Sequence, residues 1–100
     1  MKVVVKFFSK RRSKFAFKRK AFVLVDSLSK EDLCFFFQEW NVKEFIWLDG
    51  KDILNYIFQL GKVGDLVLIK SYKDHQEDVP FFIKHGIIPL IKSENKWICL

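Results

Sequence analysis

Four short apolar runs, each closed by a charged residue, recur along the chain. They are Phe22-Val23-Leu24-Val25 before Asp26, Phe45-Ile46-Trp47-Leu48 before Asp49, Leu66-Val67-Leu68-Ile69 before Lys70, and Ile87-Ile88-Pro89-Leu90-Ile91 before Lys92. A run of this length bounded by polar residues predicts a strand covered on both faces. The 21 to 23 residues from one run to the next hold one short helix and its two connections. The expected fold is therefore α/β, a small open and mainly parallel sheet with right-handed crossovers. Its core strands are expected at 22–25, 45–48, 66–70 and 87–91.

The gaps carry helix signals. Ser29 is an N-cap with Asp32 in the capping-box position, and Leu33, Phe36, Phe37 and Trp40 share one helical stripe that Asn41 ends. A second helix begins at Asp49 or Gly50, buries Ile53, Leu54, Ile57 and Phe58, and closes on Gly61 as a left-handed C′ residue. In the third gap Asp78 is the expected N-cap, and Pro80 limits the helix to a short one closed by Gly86. Pro89 argues that the last run is an edge strand, since proline donates no ladder hydrogen bond. Ser93-Glu94-Asn95 reads as a turn, and Lys96 to Leu100 as an antiparallel strand returning along that edge.

The first twenty residues follow a different period. Val3, Val5, Phe7, Phe15 and Phe17 fall on odd positions, and Lys2, Lys6, Lys14, Lys18 and Lys20 on even ones. Alternation of this kind puts one apolar face against a core and one basic face in water. The pattern predicts a β-hairpin of residues 2–8 and 14–20 joined by Ser9-Lys10-Arg11-Arg12-Ser13. Arg19 breaks the parity, which marks a bulge before the Phe22 run.

Composition narrows the class. A chain of 100 residues, half of them apolar and twelve of them Phe, is expected to form one domain spanning 1–100. No apolar run approaches the roughly 20 residues that span a bilayer. Two cysteines, Cys34 and Cys99, cannot build a disulfide framework and have no zinc-ligand spacing with His75 or His85. Their apolar contexts suggest small buried hydrophobes, and a cytoplasmic, reducing setting follows as the expectation. No cofactor is implied.

Charge supplies the functional signal. The net +6 divides unevenly: residues 1–20 carry nine Lys and Arg and no acid, while residues 21–100 carry nine Lys against twelve Asp and Glu. Segregation of this kind is an electrostatic footprint for a polyanion. The expected function is non-catalytic binding of nucleic acid, DNA or RNA and without sequence specificity, through Lys10, Arg11, Arg12, Lys14, Lys18 and Lys20 on the phosphate backbone. Residues 1–37 contain no Asn or Gln for adenine recognition.

Two alternatives come from different classes. In an open α/β sheet ligands bind beyond the carboxyl ends of the strands, where this chain places Asp26, Asp49, Lys70 and Lys92. Asp26 and Asp49 on a divalent metal, with Lys70 on a phosphate, would make a nuclease or phosphodiesterase. The competing reading is that the aspartates cap the helices that follow. Asp49-Gly50 with Val67-Leu68-Ile69-Lys70 resembles the restriction-endonuclease core, but that family needs an acid where Leu68 stands. Gly64-Asp65-Leu66-Val67 resembles part of a small serine recombinase domain, without its arginine-flanked nucleophilic serine. The other alternative is a protein- or anionic-membrane-interaction arm, in which Phe7, Phe8, Phe15, Phe17 and Phe22 are free among the basic residues. A homodimer through edge strands is a further expectation.

Overall fold

The runs at 45–48, 66–69 and 87–91 become strands as expected, and the Phe22 run supplies the end of a fourth that begins at Arg19. The computed structural model describes residues 19–48 and 53–100, together with the backbone of residues 2–6. In chain order the elements are β1 (Lys2–Lys6), β2 (Arg19–Val23), α1 (Lys30–Glu39), β3 (Val42–Leu48), α2 (Ile53–Leu60), β4 (Leu66–Ile69), α3 (Val79–Lys84), β5 (Ile88–Ser93) and β6 (Lys96–Cys99). A 3₁₀ turn at Lys73–His75 precedes α3.

The six strands form one sheet in the order β1-β3-β2-β4-β5-β6. β3, β2, β4 and β5 run parallel, and an antiparallel strand lies at each outer edge, β1 on β3 and β6 on β5. β2 is the earliest of the parallel strands and sits between β3 and β4. The chain order therefore reverses between β2 and β4, which is the switch point of a doubly wound sheet.

Alternation along the buried strands divides the core in two. Val67 and Ile69 of β4 join Phe22, Ile46, Leu48, Ile57, Val79, Phe82 and Ile87 beneath α2 and α3. Leu66 and Leu68 face the other way, with Ala21, Val23, Phe36, Phe45 and Leu90 beneath α1. All four β4 side chains are buried, as a strand covered on both faces requires. The tryptophans Trp40, Trp47 and Trp97 all pack around the α1 side. There Phe36 meets the edges of Phe45 and Trp97 at centroid distances of 6.4 and 5.1 Å.

Local signals account for the helix ends. Ser29 and Asp32 form the full capping box, and Asn41 takes the left-handed φ of 56° that stops α1. Glu94 and Asn95, at φ 49° and 67°, make the two-residue turn between β5 and β6. A register shift between Arg19 and Lys20 supplies the predicted bulge.

Five expectations need correction. The N-terminal strand does not fold back on residues 19–20: β1 pairs with β3, which stands between β1 and β2. Period-two alternation fixes which face a residue occupies but not which strand lies beside it; the remainder of the expected hairpin lies outside the described residues. Pro89 sits in an inner strand, between β4 and β6. Its carbonyl accepts the Leu100 N–H at 3.0 Å, so its donorless nitrogen faces the side where the β6 ladder runs out. Gly61 is not left-handed; a side chain there would collide with the Ile57 carbonyl, so close approach is what requires glycine. Phe58 is exposed, tilted against His85 at 4.8 Å. Cys34 and Cys99 are free and exposed rather than buried.

Candidate nucleic-acid interface

The parallel strands give the sheet a carboxyl end and an amino end, and the candidate residues divide between them. At the carboxyl end, directly beyond β2 and β4, Lys70 Nζ donates to Asp26 Oδ2 at 3.3 Å. Both side chains are well exposed, at 68% and 89%, so water screens the pair. The switch point therefore does bring Asp26 and Lys70 together, while Asp49 lies outside the described residues. Lys92 goes elsewhere, to Asp32. Among the described residues no three His, Cys, Asp or Glu gather in a way that could hold a metal ion. His75 Nδ1 pairs with Asp78 at 3.5 Å instead of joining such a group.

Asp32 is the most connected acid of that end. Its carboxylate accepts from Lys92 Nζ at 3.1 Å, from Trp97 Nε1 at 3.1 Å and from the Ser29 N–H at 3.1 Å. Burial works to raise its pKa, but the hydrogen bonds from Trp97, Lys92 and Ser29 outweigh it and hold the carboxyl below its ordinary value. The arrangement fastens the start of α1 to the β5–β6 hairpin.

The amino end is organised by a different carboxylate. Asp65, immediately before β4, has a side chain only 1% exposed. Its Oδ1 accepts the Lys20 N–H at 3.0 Å, and its Oδ2 accepts the Lys62 N–H at 2.8 Å and meets Lys20 Nζ at 3.1 Å. A buried carboxylate persists only when so many donors surround it. Beside it, Arg19 Nη1 donates to the Trp40 carbonyl at 3.1 Å, with the guanidinium 5.7 Å from the Trp40 ring centroid. Lys43 lies 4.2 Å from the Phe37 ring centroid.

These contacts locate both flanks of the basic segment. Lys6 at the end of β1 is in register with Glu44, and so is Lys20 at the start of β2. β1 thus ends and β2 begins at the amino end of the sheet, away from Asp26 and Lys70. Of the six predicted binding residues, Lys10, Arg11, Arg12, Lys14 and Lys18 lie outside the described residues. Lys20 is described, and its ammonium is engaged by Asp65 with 17% of the side chain exposed. Asp65 was not singled out by sequence reasoning. The available signal was an acid abutting the most uniformly apolar run of the chain.

No family model, curated protein or solved structure matches the chain.

Proposed function

We propose that the chain binds the phosphate backbone of nucleic acid through its basic N-terminal segment and does no chemistry on it. One observation carries the proposal: the eight cations from Lys6 to Lys20, with no acid among them, lie between the end of β1 and the start of β2, and both of these are at the amino end of the sheet. Lys10, Arg11, Arg12, Lys14 and Lys18 are the proposed phosphate contacts; Lys20, already engaged, anchors the base of the segment. The membrane-arm alternative needs free phenylalanines, and Phe22 is fully buried in the core. Among the described residues no helix is long and apolar enough to cross a membrane. The metal-dependent alternative needs Asp26 and Asp49 together, and Asp26 is described as an exposed partner of Lys70.

The test is a binding titration with duplex DNA, single-stranded DNA and RNA across a salt series. About six phosphate contacts give a log–log salt slope near −5. Replacing Lys10, Arg11 and Arg12 together by Glu abolishes binding and leaves the circular dichroism spectrum unchanged. Equal affinity of that variant and the parent at low salt overturns the proposal. Metal-stimulated cleavage lost in Asp26→Ala would establish the nuclease in its place.

A further inference from the structure

A second group of cations stands at the same end of the sheet. Lys62 follows α2 and Lys84 ends α3; both are exposed, and neither has an ion-pair partner among the described residues. Their two connections are stitched together, with the Gly64 N–H donating to the Gly86 carbonyl at 2.8 Å and the Ile88 N–H to the Asp65 carbonyl at 2.8 Å. The Asp65 carboxylate that receives the Lys62 N–H also receives both the N–H and the ammonium of Lys20. One buried side chain therefore holds the base of the N-terminal basic segment and the backbone of Lys62 in fixed relation.

From these positions we infer that Lys62 and Lys84 extend the phosphate-binding surface beyond the N-terminal segment, so that a duplex backbone lies along the amino end of the sheet. From Lys6 on β1 to Lys84 ahead of β5 that end is four strand spacings wide, about 19 Å. A duplex carries one phosphate charge per roughly 1.7 Å of axis, dense enough to meet both groups of cations at once. The opposite end suits a polyanion less: among the described residues it holds seven acids (Asp26, Glu31, Asp32, Asp74, Glu77, Asp78 and Glu94) against five lysines (Lys30, Lys70, Lys73, Lys92 and Lys96). Lys84 also lies in the last turn of α3, where a cation complements the helix dipole. That role is discharged in the free protein and has no bearing on a salt slope measured with DNA.

The inference rests on the nucleic-acid proposal, and its test separates the two. A mixed-sequence 20-base-pair DNA duplex is titrated across a potassium chloride series with three proteins: the parent, Lys62→Ala/Lys84→Ala, and Lys30→Ala/Lys96→Ala. The last removes equal charge from exposed lysines at the carboxyl end. Each lost phosphate contact makes the slope shallower by about one. The expected result is a slope shallower by about two for Lys62→Ala/Lys84→Ala and no change for Lys30→Ala/Lys96→Ala. Equal shifts in both pairs mean that net charge alone acts, and the inference is overturned. An unchanged slope in the Lys62/Lys84 pair, with binding still abolished by the Lys10/Arg11/Arg12→Glu variant, overturns the inference and leaves the parent proposal standing. No binding by the parent removes both.

Discussion

At the carboxyl end of the sheet Asp26 meets Lys70 and Asp32 meets Lys92, so charges of both signs are paired locally. At the amino end the buried Asp65 is enclosed by Lys20 and two backbone N–H groups, while Lys62 and Lys84 remain open to water. Both ends use an aspartate as a fastener, Asp32 for α1 and Asp65 for β2 and β4. They differ in what is left over. Among the described residues the carboxyl end holds more acids than lysines, whereas at the amino end Arg19, Lys20, Lys43, Lys62 and Lys84 exceed Glu39, Glu44 and Asp65. A field strong enough to steer a polyanion needs that kind of surplus.

The sharpest challenge to the comparison is removal of Asp65. Asp65→Ala leaves a mostly buried ammonium and two backbone donors without their acceptor, a loss of about 3–5 kcal/mol. Urea denaturation measures it, and a cost under about 1 kcal/mol would show that the amino end is not fastened by this group. Asp32→Ala removes the capping box and the bonds from Lys92 and Trp97, at about 2 kcal/mol. Because the folded pKa of Asp32 lies below the unfolded one, its ionisation stabilises the fold above about pH 4. That contribution disappears as pH falls further, through the folded value. Thermal melts between pH 7 and pH 2 should therefore converge for parent and Asp32→Ala at the acid end; a constant difference would refute the assignment. Lys70→Ala sets the lower limit, at less than about 0.5 kcal/mol, because both partners are exposed.

Much of the fold was legible because burial on both faces leaves a short continuous apolar run whose length and polar flanks mark it as a strand. Leu66-Val67-Leu68-Ile69 is apolar at every position because each side of the strand meets a helix layer. Ser29 and Asp32 were legible for a local reason, since a capping box is contained in four residues. What escaped depends on distant partners. That β3 separates β1 from β2 is a matter of strand order, and Lys2 to Lys6 would show the same alternation beside either neighbour. Pro89 is tolerated in an inner strand only because β6 ends opposite it. At the candidate site, the concentration of cations in residues 1–20 was legible from composition. The engagement of Lys20 by Asp65, and the nearness of Lys62 to Lys20, arise only when β2 and β4 lie side by side.

The placement of β1 has one more consequence, for self-association. β3 is the outermost parallel strand on one side of the sheet, and among the described residues it is β1 that covers its hydrogen-bonding groups there. A chain clipped or melted over residues 2–6 would bare a seven-residue strand containing Phe45, Ile46 and Trp47. An uncovered strand of that composition recruits other strands. β1 is thus a guard against aggregation as well as the start of the path to the basic segment.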